Sequence, residues 1–142
     1  MSTDENKIIA RRFIQAWSAG GLDIVDELAA PNLTVSYSHF PEPLHGIESF
    51  KQILSQTYAS FPDIQITADE LMAEGDKVMV RWTYHATHQV EVFGIPATGK
   101  QVRVSGMTVY YIPYGKVIEE SGVIDNFSLM LQLGVIPAPG QE

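Results

Sequence analysis

Asp125 is the residue in this chain best placed to move a proton. In the run Lys116–Asp125, the side chains Val117, Glu119, Ser121, Val123 and Asp125 alternate onto one strand face. If that face is the one carrying Trp82, Tyr84 and His88 of the run Lys77–Val90, Asp125 ends a strand inside an apolar pocket. Loss of water raises a carboxyl pKa there, and a weak base becomes a proton acceptor useful near neutrality. The same residue precedes the apolar run Phe127–Leu133, so Asp125 or Asn126 can equally serve as a helix N-cap. Spacing alone leaves the two roles even. Glu119 shares the strand parity but lies six residues back. That is about 20 Å along an extended strand, too far for one carbon to meet both groups.

Other chemistries find no support. Gly94-Ile-Pro-Ala-Thr-Gly-Lys100 matches a phosphate loop in outline. Such a loop needs Ser or Thr next and a helix behind it, whereas Gln101 opens an alternating run. His85 and His88 would share a face on a helix, but on a strand they point opposite ways, and His39 and His45 lie in an irregular stretch. No metal site is expected. A Gly-x-Ser-x-Gly elbow is absent, and each lysine falls in a turn, at a strand start or on a polar helix face. With no cysteine, thiolate nucleophiles, thiolate metal sites and disulfides all drop out.

The elements that must position Asp125 change period at mid-chain. Ser2 and Glu5 form a capping box for a helix over Glu5–Ala19, stopped by Gly20-Gly21, and Leu22–Leu28 is a second short helix. Leu33–Tyr37 reads as a strand and Ile47–Ser60 as a third helix. Strands then follow over Asp63–Glu74, Lys77–Val90, Gln101–Ile112 and Lys116–Asp125, with a last helix over Phe127–Leu133. This pattern predicts a single α+β domain over residues 1–142, with a curved antiparallel sheet and about three helices packed on one face.

Composition sets the partners. The 142 residues carry 17 acidic and 9 basic side chains, a net charge of −8, which disfavours nucleic acid and anionic membrane surfaces. The polar start Ser2-Thr-Asp-Glu-Asn6 is unlike a signal peptide, and no apolar run approaches a membrane span, so a cytoplasmic protein is expected. The sheet face opposite the pocket would carry Met79, Met107, Val109, Tyr111, Ile118 and Ile124. So apolar a face predicts a homodimer.

Several stretches together resemble the SnoaL-like polyketide (ester) cyclases of the nuclear transport factor 2-like superfamily. They are Arg81-Trp82, Thr87-His88, Phe93-Gly-Ile-Pro-Ala-Thr-Gly-Lys100, Tyr114-Gly-Lys-Val-Ile-Glu-Glu120, Val123-Ile-Asp-Asn126 and Leu131-Gln-Leu-Gly134. Ser60-Phe-Pro-Asp-Ile64 and Ala73-Glu-Gly-Asp76 extend the similarity over nearly the whole chain. The resemblance implies a cone-shaped fold and a cofactor-free intramolecular aldol closure in which Asp125 is the acid/base. It aligns His88 with a family histidine, Trp17 with a first-helix aromatic and, loosely, His39 with a polar position before a proline-containing loop. Ser121 and Ile124 stand where many relatives carry tryptophan, and Val109 and Tyr111 where the antibiotic-pathway cyclases carry Gln and His.

The expected site is thus a mostly apolar cavity lined by Trp17, His39, Phe61, Trp82, Tyr84, His88 and Asp125, taking a small apolar carbonyl compound. The competing reading is a non-catalytic binder of the same fold, in which Trp17 and Trp82 are simply core. Isomerisation and epoxide hydrolysis are sibling chemistries. The latter ranks lower, because Arg81 and Arg103 fall on the outward parity.

Overall fold

Ser2 opens the first helix. Its hydroxyl accepts the Glu5 N–H at 3.1 Å and donates to Glu5 Oε1 at 3.0 Å, which is the pairing expected of these two residues. The computed structural model describes residues 2–137 and Gly140. α1 spans Thr3–Phe13 and tightens into a 3-10 turn over Ile14–Trp17, so the expected single helix changes pitch before Trp17. α2 (Leu22–Leu28), β1 (Ala29–Tyr37), the two-residue β2 (Leu44–His45) and α3 (Ile47–Ser60) complete the first half. A meander follows: β3 (Gln65–Glu74), β4 (Lys77–Thr87), β5 (Gln101–Tyr111) and β6 (Val117–Ile124), closed by α4 (Asn126–Leu133). None of the described helices is long and apolar enough to cross a membrane.

The six strands form one curved, unclosed sheet in the order β2-β1-β6-β5-β4-β3. Every neighbour pair is antiparallel except β1 with β6, which is parallel. The curved antiparallel sheet expected from the sequence is found, with this one parallel pair within it. β1 and β6 are separated by a helix and four strands, the long crossover that a parallel pair requires. At the opposite edge a bulge between Ala68 and Glu70 blunts β3.

Alternation sorts the two sheet faces. Val78, Val80, Trp82, Tyr84 and Ala86 of β4, with Val102, Val104, Thr108 and Tyr110 of β5, are buried on the concave face against the helices. Phe13 stacks on Phe50 at 6.0 Å and meets the Tyr110 ring edge-on at 5.8 Å, which ties α1 and α3 to β5. The convex face bears Met72, Met107, Val109 and Val123, each substantially exposed, with Met79 half-buried among them. Ile124, expected on that face, instead turns toward the concave side.

In β6 the expected parity fails, for a local reason. Val117 and Glu120 are both buried although three residues apart, and pairing with β5 begins only at Glu119. A count of alternate residues from Val117 therefore crosses an irregular start and arrives on the wrong face. From Glu119 onward it is the even-numbered side chains that point inward.

Gly106 sets the position of Trp82. The two are directly paired, and a β-carbon on Gly106 would stand 2.6 Å from Trp82 Cη2 and 2.5 Å from the Val123 carbonyl oxygen. Gly106→Ala is expected to cost about 1–3 kcal/mol through overpacking, read as a lower urea midpoint at unchanged slope.

Candidate active site

The parity of β6 sends Glu120, not Asp125, into the interior. Glu120 is 1% exposed. Its Oε2 accepts the Tyr37 hydroxyl at 2.6 Å and the Trp17 indole N–H at 2.9 Å. Among the described residues Oε1 has no hydrogen-bond partner. Burial raises the carboxyl pKa from an ordinary 4.5 to about 7, and the bonds from Tyr37 and Trp17 hold it from going higher. No basic group offsets the burial, since the ion pairs among the described residues all lie elsewhere.

The network runs further. Thr108 Oγ1 lies 2.9 Å from the Tyr37 hydroxyl and accepts the Trp82 indole N–H at 2.9 Å. Two inward glycines make the room. A β-carbon on Gly122 would meet Tyr37 Cε1 at 2.8 Å and Thr108 Oγ1 at 2.9 Å, just as one on Gly106 would meet Trp82. Burial and the neighbouring Glu120 charge push the Tyr37 phenol far above its usual pKa, so it is a neutral hydroxyl at any working pH.

Three members of this network wall a cavity of about 390 Å³: Trp17, Tyr37 and Trp82. Tyr84, nearly parallel to Trp82 at 6.2 Å, and Phe61, 6.3 Å from Tyr84, continue the aromatic side. Ile64, Ile66, Ile124 and Leu129 supply aliphatic surface, and Gln56, Thr57 and Ser60 of α3 add a polar strip. Phe93 completes the wall from the loop joining β4 and β5. It sits in a two-residue turn with a φ of 53° and is 57% exposed. Among the described residues the lining includes no lysine or arginine, and its one carboxylate is that of the exposed Glu91. This is the usual make-up of a site for a small, largely apolar, uncharged molecule.

Of the residues singled out in the sequence, the structure brings Trp17, His39, Phe61, Trp82 and Tyr84 onto this wall. His39 stands exposed beside the Tyr37 and Phe40 rings, and partial burial lowers its pKa, which keeps the imidazole neutral near pH 7. His88 is fully buried but does not line the cavity. Its Nδ1 bonds Thr98 Oγ1 at 2.9 Å, and its backbone pairs with Lys100 and Gly99, so it anchors the base of the loop that carries Phe93. Asp125 is likewise outside the lining, and here the expected pocket position is corrected. It is exposed, and its Oδ1 accepts the Ser128 N–H at 3.0 Å as the N-cap of α4, while its neighbours Ile124 and Asn126 line the cavity.

Glu120 and Tyr37 were not anticipated. The signal was the doublet Glu119-Glu120, whose members must face opposite ways; only the exposed one shares the parity counted from Val117. Among the described residues no three His, Asp or Glu side chains come together as a metal-ligand set. Residues 94–100 run into β5 and not into a helix, the arrangement opposite to a phosphate loop.

This architecture is shared with known proteins. The sequence matches the SnoaL-like polyketide cyclase family over residues 7–133. The chain belongs to the SnoaL-like polyketide cyclase family. Several solved structures share the SnoaL-like fold. AclR of Streptomyces galilaeus, a hydroxylase candidate, is 27% identical with a TM-score of 0.84, over 96% of this chain and 85% of its own. A polyketide cyclase candidate from Acidithiobacillus ferrooxidans is 29% identical with a TM-score of 0.82, over 95% and 99% of the two chains. IdmH of Streptomyces antibioticus, also a cyclase candidate, is 25% identical with a TM-score of 0.82, over 91% and 98%. No curated protein sequence is significantly similar to this SnoaL-like chain.

The buried carboxyl couples stability to pH. Because folding raises the Glu120 pKa, its contribution is fully present below the unfolded value of 4.5 and is lost as the pH rises through about 7. Relative to Glu120→Gln, the unaltered protein is expected to lose roughly 3 kcal/mol between about pH 4 and about pH 8. Urea unfolding of both proteins across that range checks the sign and the window.

Proposed function

We propose that this chain is a cofactor-free cyclase-type enzyme that closes a ring in a small apolar carbonyl compound held in the aromatic cavity. The observation that carries the reading is a single buried carboxyl, with a pKa near neutrality, bonded to the hydroxyl of Tyr37, a residue that lines the cavity. A carbon flanked by carbonyls is acidic enough for such a base. Tyr37 is the group in reach of the substrate. Its phenolate is inaccessible, so the transfer is concerted: the carbon's proton passes to Tyr37 Oη as the Tyr37 proton passes to Glu120 Oε2. The enolate then attacks the second carbonyl carbon and forms the ring bond. The new alkoxide recovers a proton from Tyr37 as Glu120 returns its own. Protons and charge balance without a cofactor, and the neutral His39 offers a hydrogen bond to a substrate carbonyl at the mouth.

Glu120 takes the role that the family resemblance gives to Asp125, whose carboxylate is engaged as a helix cap. Epoxide hydrolysis is disfavoured, because an Asp–Arg–Asp set has no arginine here: Arg81 faces Asp69 and Glu70 on the convex side. A non-catalytic binder remains the second reading. It is favoured by the fact that Glu120 itself stands behind the cavity wall and ties the first helical segment to β1 and β6.

Binding is tested with a panel of polycyclic ketones, which should change the fluorescence of Trp17 and Trp82. On any ketone that is turned over, Tyr37→Phe and Glu120→Gln are expected to lower kcat by about 10²–10⁴. Asp125→Asn, which caps about as well, should stay within a few-fold of the unaltered protein. Ligand binding with full activity in Glu120→Gln would establish that this carboxyl is structural, and loss of activity in Asp125→Asn would return the acid/base role to Asp125.

The assembly belongs to the same reading. Met72, Met79, Met107, Val109 and Val123 leave the convex face apolar, and a second copy of the chain would cover it. Light scattering at micromolar concentration should return twice the 15.7 kDa of one chain. A Met107→Glu, Val109→Lys double variant should return one chain's mass.

A further inference from the structure

The directions of the hydrogen bonds in the Glu120 network follow from its chemistry. An indole nitrogen only donates, so Trp82 Nε1 gives its proton to Thr108 Oγ1 and Trp17 Nε1 gives its proton to Glu120 Oε2. A phenol has one proton, and the 2.6 Å contact directs that of Tyr37 to Glu120 Oε2. The bond between Tyr37 and Thr108 is the one that either oxygen could donate. With the Tyr37 proton committed, only Thr108 can supply it. The chain therefore runs one way, from Trp82 through Thr108 and Tyr37 to Glu120.

We propose that Thr108 is a positioning residue for this site: its hydroxyl donates to Tyr37 and so holds the Tyr37 proton on Glu120. A hydroxyl that receives a hydrogen bond becomes a stronger donor, because bonds in a chain polarise one another. Thr108 never reaches the substrate in this scheme; it acts through Tyr37. Both proton-giving bonds to Glu120 end on Oε2, and Oε1 has no partner among the described residues. Trp82 gains a role besides packing, since its N–H occupies one Thr108 lone pair and leaves the hydroxyl proton free to point at Tyr37. Gly122 gains one as well: a β-carbon there would press on both oxygen-bearing side chains of the Tyr37–Thr108 bond.

Few other groups could move Glu120. The titratable side chains beside it are Tyr37 of β1 and Tyr110, its direct partner on β5. The first helical segment brings Trp17 and Phe13, and α3 brings Phe50, none of which titrates. His39 lies beyond Tyr37, with ring centres 6.3 Å apart. A change in the Glu120 titration on altering Thr108 thus reports on the chain of hydroxyls.

The inference rests on Glu120 as the proton-handling group, but its test does not read turnover. Two measurements decide it. Neutron diffraction from a deuterated crystal of the unaltered protein should place a deuteron on Thr108 Oγ1 directed at Tyr37, and one on Tyr37 Oη directed at Glu120. The reverse orientation at Thr108 would overturn the proposal whether or not any variant folds. The second is the Glu120 titration, followed by the carboxyl infrared band and assigned by its loss in Glu120→Gln. Thr108→Val should tighten proton binding at Glu120 by about two- to fivefold, raising the midpoint, while Thr108→Ser should leave it in place. Tyr37→Phe should raise it by about tenfold or more. A purely structural Thr108 would lower the melting temperature in the Val variant without moving the midpoint. That result, or an equal shift in Thr108→Ser, would refute the positioning role even if Glu120→Gln proves inactive.

Discussion

A carboxyl group taken out of water imposes more on this molecule than any other side chain does. The penalty for burying an ionised carboxylate is several kcal/mol even after relaxation. It is reduced here by two hydrogen bonds on one oxygen and by a pKa high enough for much of the group to be neutral near pH 7. Each of those bonds fixes a large aromatic residue. Trp17 must reach across from the first helical segment, and Tyr37 must stand at the end of β1. The parallel β1–β6 pair brings Tyr37 opposite Gly122, two residues beyond Glu120 on the same inward face.

The cavity is a by-product of the same arrangement. Aromatic rings that are held by their polar atoms cannot collapse freely onto one another. Trp82 is pinned by Thr108, Tyr37 by Thr108 and Glu120, and Trp17 by Glu120. The missing β-carbons of Gly106 and Gly122 let these rings lie against the sheet and not across the space above it. α3 and α4 then close the sides with Thr57, Ser60 and Leu129, and the anchored loop above His88 sets Phe93 at the mouth. A polar network behind the wall thus coexists with an apolar interior, the division of labour that orients a neutral ligand without binding it through charge.

Much of this was legible in the sequence. The capping box at Ser2, the stop at Gly134 and the alternation in β4 and β5 are local signals, decided by neighbours within a turn or along a strand, and they give the elements nearly as found. The α+β architecture follows from their order, and five of the seven expected site residues reach the cavity. Trp17, Phe61, Trp82 and Tyr84 do so because inward parity on a long regular strand, or an apolar stripe on a helix, already points at the core. His39 does so from a loop, where only the carried-over resemblance marked it.

The tertiary structure decided what local alternation could not. Whether Glu119 or Glu120 turns inward depends on where β6 falls into register with β5, and that register begins only after an irregular start. A shift of one residue moves every later side chain to the other face, which is how Asp125 and Glu120 exchange places between expectation and structure. His88 has the inward parity of β4 but ends outside the cavity, because a strand's face names a side of the sheet and not the contents of that side. The sequence by itself therefore determined the elements, their order and the aromatic character of the site. The identity of its buried carboxyl was left to pairings between segments far apart in the chain, since burial belongs to the assembled sheet and no strand carries it alone.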